Sequence, residues 1–184
     1  MGRRSPTSTA RDQEERAQLD FDGLFRSCVG DVHAYALSLL GDRASAEDVT
    51  ALAFERLYRA RRRLDSRRGS ARGLLFTIAR NAALDELRSR ARRTARAADP
   101  SLLADASSDA PLAHIERRSL VAEALAELPP RERELVLLKF HGQLSNAELA
   151  RVLGISESNA GTRLHRAMTR LRSACLERER EQVA

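Results

Sequence analysis

The sequence predicts an all-α protein made of two small helical modules joined by a flexible linker. Apolar residues recur at helical spacing in two separated stretches, residues 19–93 and 117–176. Between them, residues 94–116 lose this periodicity and gain Ala, Ser, Asp and Pro, which is typical of a linker. No stretch alternates apolar and polar residues as a half-buried strand does. We expect a disordered polar tail at residues 1–18 and a charged tail at residues 177–184.

Caps and glycines predict three helices in the first module. Ser45 is expected to cap the second helix, with Asp48 as its capping-box partner. The stretch 64–73, LDSRRGSARG, is rich in glycine and serine and is predicted to be a loop. The three helices are predicted, in order, from Phe21 to a stop at Gly41, from Ser45 onwards, and from about Ala71 to Arg93.

Two short helices are predicted at the start of the second module. The first covers about His114 to Glu127 and is stopped by the Leu128-Pro129-Pro130 sequence. The second covers about Arg131 to Phe140 and ends near Gly142. Both precede the most specific motif of the chain.

Residues 145–171 are predicted to form a helix, a tight turn and a second helix. Ser145 and Glu148 have capping-box spacing, and Gly154 lies where the turn requires φ > 0. Ser156 is expected to cap the second helix, whose apolar residues recur at spacings of four, three and four. This is the layout of a DNA-reading helix-turn-helix, in which the second helix enters the major groove. The alternative is an amphipathic helical hairpin with a solvated basic face.

Basic charge is concentrated in one part of the chain. Residues 56–96 hold fourteen arginines and three acidic residues, a net charge of +11 in a chain whose total is +6. Such a segment indicates a polyanionic partner. Ribosomal RNA, promoter DNA and an acidic membrane surface all fit this charge, so it defines only a class of partner.

One face of the third helix is a candidate nucleic-acid surface. Spacings of four, three and four place its residues together, and the preceding loop adds further arginines. The alternative is an exposed face on which Asp85 pairs with its neighbours. The face consists of Asn81, Asp85, Arg88 and Arg92, and the loop contributes Arg67, Arg68 and Arg72.

The sequence contains no pattern typical of a metal site, an enzyme or a membrane protein. Cys28 and Cys175 are far apart, and the four histidines are scattered, so we expect neither a metal ion nor a cofactor. Gly-rich phosphate loops, nucleophile elbows and paired-carboxylate sites are absent. No apolar run approaches the roughly 20 residues that span a bilayer, and the N-terminal residues lack a signal-peptide core. We therefore expect a cytoplasmic protein that does not insert into a membrane.

Two segments resemble regions of the bacterial extracytoplasmic-function (ECF) sigma factors. Residues 21–93 resemble region 2 of this family, and residues 117–172 resemble region 4. Within the first, AEDVTALAFERLY (46–58) resembles the segment that binds the clamp helices of RNA polymerase, and GSARGLLFTIARNAALDELR (69–88) resembles the −10 segment. Within the second, ALAELPPRERELVLLKF (124–140) and the following motif resemble the −35-reading domain.

The resemblance implies a specificity subunit and not a catalyst. Such a protein binds core RNA polymerase and directs initiation at promoters by recognising the −10 and −35 elements of promoter DNA, under the control of an anti-sigma factor. The residues implied for polymerase binding are Glu47, Asp48, Phe54, Glu55 and Tyr58. Those implied for the −10 element are Arg67, Arg68, Arg72, Arg80, Asn81, Asp85, Arg88 and Arg92. Those implied for the −35 element are Ser158, Asn159, Thr162, Arg163 and Arg166.

Two other classes of function remain open from the residues alone. A two-domain transcriptional regulator that binds DNA without polymerase could carry the same helix-turn-helix. It would need a dimerisation or ligand-binding domain, which residues 21–93 do not resemble. An RNA-binding or ribosome-associated protein would fit the +11 segment alone.

Overall fold

The computed structural model describes residues 20–61, 69–97 and 115–183, and these residues form seven α-helices and no strand. The predicted all-α fold with two helical modules is therefore confirmed. The N-terminal tail and most of the linker predicted at 94–116 lie outside the described residues. The first module contains α1 (Phe21–Leu40), α2 (Arg43–Ala60) and α3 (Ala71–Ala97). The second contains α4 (Ile115–Glu127), α5 (Pro130–Phe140), α6 (Asn146–Leu153) and α7 (Glu157–Val183).

The boundary between α1 and α2 is set by one glycine and one aspartate. Gly41 ends α1 with a φ of +76°, as predicted for the glycine at this position. The predicted cap at Ser45 is wrong, because α2 begins earlier. The Asp42 carboxylate accepts a hydrogen bond from the Ser45 backbone N–H at 2.8 Å, so Asp42 is the N-cap. Ser45 and Asp48 are both inside the helix.

The start of α3 lies inside the segment predicted as a loop. Ser70 accepts a hydrogen bond from the Gly73 backbone N–H at 2.9 Å through its hydroxyl, which supplies the first turn with a cap. Helix α3 begins at Ala71, as predicted for the third helix, so residues 71–73 of the predicted loop are helical. Arg72 consequently projects from a helix and not from a loop.

Two helices are longer than predicted. Helix α3 continues into the predicted linker, and α7 continues through the predicted charged tail at 177–184 as far as Val183. In this extension Arg178 forms ion pairs with Glu123 and Glu127, both on α4. The end of α7 is therefore fixed to the first helix of its own module.

Three clusters of buried residues hold the helices together. The first joins α1, α2 and α3 through small side chains that allow close approach: Ala36, Leu40, Ala46, Val49, Ala82 and Ala83. The second joins α4, α5 and α7: Ala124, Leu128, Val136, Ala167 and Leu171. The third is the largest and contains residues of both modules, among them Val32, Leu75, Phe76, Leu137, Leu138 and Leu149. None of the described helices is long and apolar enough to cross a membrane.

Arg90 ties the three helices of the first module to one another. Its guanidinium donates to the Leu40 carbonyl at 2.9 Å and to the Glu86 carboxylate at 3.0 Å, and it also pairs with Asp42. The hydrogen bond from the Ser45 backbone, with help from Arg90, lowers the pKa of Asp42. Asp42 therefore both caps α2 and holds α3.

The first prediction concerns the start of α2. Asp42→Ala is expected to lower the free energy of unfolding by about 1–2 kcal/mol, since it removes an N-cap together with an ion pair. Asp48→Ala removes an equal charge from an exposed position of the same helix and is expected to have little effect. Urea unfolding followed by circular dichroism at 222 nm measures both. Equal losses in the two variants would contradict the assignment of Asp42 as the cap.

Candidate nucleic-acid interface and partner surface

The helix-turn-helix forms as its capping residues predict. The Ser145 hydroxyl accepts from the Glu148 N–H at 3.2 Å, while a Glu148 carboxylate oxygen accepts from the Ser145 N–H at 2.8 Å. Gly154 adopts φ +67° and ψ +36°, the left-handed conformation that the turn requires. The Ser156 hydroxyl then accepts from the Asn159 N–H at 3.2 Å and caps α7. Both helix ends at the turn therefore have their backbone groups satisfied.

The second helix of this motif presents the predicted residues on its outer side. Ala160 and Ala167 are buried against the module, which fixes the rotation of α7. Among the predicted −35 residues, Asn159 is half-buried and the others are exposed: Ser158, Thr162, Arg163 and Arg166. Within the described part of the chain, Arg163 and Arg166 form no ion pair. Their guanidinium groups are available to an external anion.

Four of the predicted −10 residues also lie together on an exposed face of α3. They are Asn81, Asp85, Arg88 and Arg92. Arg88 donates to the Asp85 carboxylate at 2.8 Å, and both side chains are 65% exposed. The pair is weak because water screens it, so both groups remain free to rearrange toward a partner. Both interpretations made from the sequence, a nucleic-acid face and a self-paired face, agree with this geometry.

Two further predicted −10 residues lie elsewhere, at the contact between the two modules. We call this contact the junction; it brings residues 70, 72 and 80 of the first module against residues 134, 141, 142 and 148 of the second. The guanidinium of Arg80 donates to both oxygens of Glu134, at 2.8 and 3.2 Å. Their side chains are only 21% and 10% exposed. Arg67 and Arg68 lie outside the described residues.

Arg72 makes the most contacts in the junction. Its guanidinium donates to the carbonyls of Gly142 at 2.5 Å and His141 at 3.2 Å, which lie at the end of α5. It also pairs with Asp31 at 2.5 Å and approaches the Cys28 thiol at 3.1 Å. A side chain expected to reach nucleic acid from a loop is thus enclosed between the modules.

A second set of contacts connects the starts of α3 and α6. The Ser70 hydroxyl, which caps α3, donates to the same Glu148 carboxylate that caps α6. Burial raises the pKa of Glu148, but the hydrogen bonds from Ser70 and Ser145 outweigh this effect and the pKa is lowered overall. The carboxylate form is therefore the one that the junction stabilises.

Two titratable rings lie at or beside the junction, the half-buried His141 and the buried Tyr35. Burial lowers the pKa of His141, whose ring nitrogen lies 3.4 Å from the Ser38 hydroxyl. Burial, with the negative charge of Glu134, raises the pKa of Tyr35. The Tyr35 hydroxyl has no hydrogen-bond partner among the described residues. The ionised forms of both rings are therefore disfavoured.

The residues expected to bind polymerase divide into exposed and buried ones. Glu47, Asp48 and Glu55 are exposed on α2, and Tyr58 is 46% exposed. Phe54 is only 5% exposed and belongs to the core. Its ring therefore supports the surface from below and does not form part of it.

An aromatic cluster that the sequence analysis did not single out surrounds Tyr58. Phe21 stacks edge-on against Tyr58 at 5.1 Å, and Phe25 lies 4.8 Å from the Phe54 ring while remaining 42% exposed. Arg61 covers the Tyr58 ring at 3.5 Å. Four of the seven aromatic residues of the chain lie in this cluster. Their concentration in one part of the sequence is the feature from which the cluster could have been predicted. An exposed apolar patch bordered by charges is typical of a protein-binding surface.

The described residues contain no group of three or more His, Cys, Asp or Glu side chains that could hold a metal ion. The two cysteines of the chain are both free, with Cys28 buried and Cys175 half-buried. The arrangement supplies cations, amide and hydroxyl groups for recognition.

Comparison with known proteins gives consistent matches over both modules. The chain matches the Sigma-70 region 2 family over residues 24–93 and the Sigma-70, region 4 family over residues 118–171. It is 36% identical over 139 residues to the ECF RNA polymerase sigma factor SigL of Mycobacterium tuberculosis, which covers 75% of this chain and 78% of SigL. It is 28% identical over 157 residues to SigM of Bacillus subtilis, covering 84% of this chain and 94% of SigM.

Solved structures give the same result for the fold. The sigma factor RpoE of Bartonella quintana, in complex with the anti-sigma factor NepR, superposes with a TM-score of 0.68 at 21% identity, covering 84% of this chain and 96% of RpoE. CnrH, in complex with the cytosolic domain of CnrY, superposes with a TM-score of 0.63 at 25% identity, covering 91% of this chain and 96% of CnrH. Both superpositions include residues of the two modules.

The second prediction separates the buried aromatic residue from the exposed one. Phe54→Ala is expected to lower the free energy of unfolding by about 3–5 kcal/mol, because it leaves a cavity in the core. Tyr58→Ala is expected to cost less than about 1.5 kcal/mol, because much of its ring is already in water. Urea unfolding of the two variants tests this difference. A small loss for Phe54→Ala would mean that its ring is not part of the core.

Proposed function

Because this chain belongs to the ECF family of RNA polymerase sigma factors, we propose that its two modules contact the two elements of a promoter while the first module holds core RNA polymerase. Sigma factors are transcription initiation factors, and the chain directs promoter-specific initiation. The observation that carries the assignment of residues is the exposed, unpaired arginine face of α7 beside a correctly capped helix-turn-helix. We further propose that the protein has no catalytic activity of its own and acts in the cytoplasm.

Recognition of the −35 element is assigned to the beginning of α7. Arg163 and Arg166 lie one turn apart on its outer side, and Asn159 precedes them on the same helix. Arginine bonds guanine bidentately and asparagine bonds adenine, so these side chains supply base-reading groups in the major groove. Ser158 and Thr162 complete the surface with hydroxyl groups suited to phosphates or bases.

Recognition of the −10 element is assigned to the exposed face of α3. Asn81 and Asp85 offer acceptors and an amide, while Arg88 and Arg92 hold phosphates. Arg67 and Arg68 precede the helix in sequence and add positive charge to this part of the chain. Arg72 and Arg80 join this set only when the junction opens, since they are occupied by the second module.

Polymerase binding is assigned to the exposed side of α2 and the aromatic cluster beside it. Glu47, Asp48, Glu55 and Tyr58 supply charges and an aromatic group, and Phe25 extends the apolar area. An anti-sigma factor that covered this surface would prevent polymerase from binding. RpoE is seen in complex with the anti-sigma factor NepR and CnrH in complex with the cytosolic domain of CnrY, and we propose that this chain also has an anti-sigma partner.

Run-off transcription with purified core RNA polymerase tests the function as a whole. A library of genomic fragments from the source bacterium serves as template, and transcripts are sequenced at their 5′ ends. We expect start sites preceded by shared −10 and −35 sequences only when the protein is present. Specific DNA binding without any effect on core polymerase would instead indicate a transcriptional regulator, and preferential binding to RNA would indicate a ribosome- or RNA-associated protein.

The third prediction concerns base reading by α7. Arg163→Ala and Arg166→Ala are each expected to cost about 1–3 kcal/mol on the best −35 sequence if the arginine contacts a base. Sequencing of promoters selected by the holoenzyme from a pool randomised at −35 shows which positions lose their preference. A phosphate contact would weaken all sequences alike.

Arg172→Ala is the matched control for this experiment. Arg172 is also exposed on α7 but lies about half a turn from Arg163 around the helix axis, so the net charge changes equally. We expect an unchanged −35 preference in this variant. If all three alanine variants showed the same −35 preference, α7 would contribute positive charge but would not recognise bases.

The fourth prediction concerns the polymerase surface. Tyr58→Ala is expected to weaken binding to core RNA polymerase by about tenfold, since exposed aromatic groups at the centre of an interface contribute most to affinity. Leu176→Ala removes another exposed apolar side chain, 47% exposed on the distant end of α7, and should leave this affinity unchanged. Fluorescence anisotropy of labelled protein titrated with core polymerase measures both. If Tyr58→Ala bound core polymerase as tightly as the unaltered protein, Tyr58 would not be part of the interface.

A further inference from the structure

The turn between α5 and α6 is constrained at successive positions. It consists of residues 141–144, and we call it the entry turn because it leads into the first helix of the helix-turn-helix. A Cβ atom at Gly142 would lie 2.4 Å from the Leu138 carbonyl oxygen, so the chain passes too close there for any side chain. Gln143 adopts φ +50°, which is uncommon for a residue other than glycine. The Leu144 side chain is fully buried in the core, so both ends of the turn are held.

The single lysine of the chain closes this turn. Lys139 lies in the last turn of α5, and its ammonium donates to the Leu144 carbonyl at 2.8 Å. Leu144 immediately precedes Ser145, the N-cap of α6, so its carbonyl lies outside the hydrogen bonds of that helix. A hydrogen bond from a charged donor is stronger than one between neutral groups. Lys139 therefore ties the end of α5 to the residue from which α6 begins.

The start of α6 lies against the part of α7 that carries the proposed −35 residues. The side-chain nitrogen of Asn146 is 3.5 Å from the point that a Cβ atom at Gly161 would occupy. Gly161 is next to Thr162 and Arg163 in sequence. In a DNA-bound helix-turn-helix the first helix crosses the backbone while the second enters the major groove. The spacing of α6 and α7 therefore decides whether both helices can meet DNA at once.

Helix α7 is fixed to α5 by other contacts. Arg170 donates to Glu132, in the first turn of α5, at 2.8 Å. Along the middle of the helix, Val136 shares a buried cluster with Ala167 and Leu171. Helix α5 thus holds α7 along its length and α6 at its end. A shift of the entry turn consequently moves α6 relative to α7.

We propose that Lys139 is a positioning residue for −35 recognition: its ammonium holds the entry turn and thereby sets the place of α6 beside the base-reading part of α7. Lys139 acts through α6 and is not itself a contact to a base or a phosphate. All of the contacts involved lie within the second module. The inference rests on the −35 role proposed above for α7.

Three variants of the full chain test this role. Lys139→Met keeps most of the length of the side chain and removes the ammonium. Lys139→Arg keeps a cationic donor at the same position and is the conservative variant. Arg131→Met is the matched control, because Arg131 is exposed at the start of the same helix and its loss changes the net charge equally. Each variant is assembled with core RNA polymerase and titrated with two promoter duplexes, which share one −10 element and carry either the preferred −35 sequence or a shuffled one.

Acetylation of the unaltered protein removes the same charge without a mutation. Lysine occurs once in the sequence, so an N-hydroxysuccinimide ester of acetic acid can acylate only this side-chain amine and the N-terminal amine. The ammonium gives its proton to the buffer, the amine attacks the ester carbonyl, an amide bond forms and N-hydroxysuccinimide leaves. Lys139→Arg treated in the same way is the control, since it reacts only at the N-terminus. Mass spectrometry of peptides reports the extent of reaction at each amine.

The measured quantity is the ratio of the Kd values for the shuffled and the preferred duplex. In Lys139→Met and in the acetylated protein this ratio is expected to fall about tenfold, equivalent to the loss of roughly one base contact. Binding to a single-stranded −10 probe should not change. Arg131→Met and Lys139→Arg, before and after acetylation, should keep the ratio. Urea unfolding is followed in parallel, and if Lys139→Met does not fold, the two acetylated proteins decide the question.

Two outcomes would overturn the role of Lys139 alone. One is an unchanged ratio in both Lys139→Met and the acetylated protein. The other is an equal loss of affinity for the two duplexes, which is an effect of charge or of overall stability. Failure of the proposed function differs from both: the unaltered holoenzyme would then prefer no −35 sequence, and the function and this inference would fall together.

Discussion

The ends of helices leave backbone groups without partners, and this constraint explains how the two modules meet. The carbonyls of His141 and Gly142, the two residues that follow α5, are satisfied by Arg72 of the first module. The caps of α3 and α6 are linked through Ser70 and Glu148. Three helix ends from two modules therefore depend on one another. The shared apolar core then fills the space that these polar contacts enclose.

Sequence reasoning succeeded where the signals were local. The capping box at Ser145, the turn at Gly154 and the cap at Ser156 lie within twelve residues of one another and need no tertiary information. The start of α2 was misplaced because Asp42 and Ser45 are both good caps, and the choice depends on Arg90, which is distant in sequence. Either residue could have capped the helix on local grounds, and the tertiary contact with Arg90 favours Asp42.

The junction could not be derived from periodicity. Arg80 and Glu134 are separated by 54 positions, and Arg72 and Gly142 by 70. Helical spacing placed Asn81, Asp85, Arg88 and Arg92 on one exposed face, and the structure agrees. It gave no information on which side of α3 the second module would cover. The residues whose environment was unforeseen are those that contact the other module.

The local charge of the basic segment overstates its free positive charge. Within the described residues of 56–96, six arginines are ion-paired: Arg59, Arg72, Arg80, Arg88, Arg90 and Arg93. Several of these pairs hold helices together and others are screened on the surface. The electrostatic attraction felt by DNA at a distance is accordingly smaller than the composition indicates. This attraction also depends on which ion pairs are broken. The electrostatic field around the protein therefore changes with its conformation.

Helix α7 combines two tasks in a single rigid element. It has 27 residues and is therefore about 40 Å long. Its first turns carry the arginines that face outward, and Arg178 near its far end is fixed to α4. A tilt of about 10° at the α4 end would move the opposite end by roughly 7 Å, more than one helical turn. A small rotation of α7 at its C-terminal end is therefore amplified at its N-terminal end. A protein that bound the last turns of α7 would reposition the DNA-contacting residues without approaching the DNA itself.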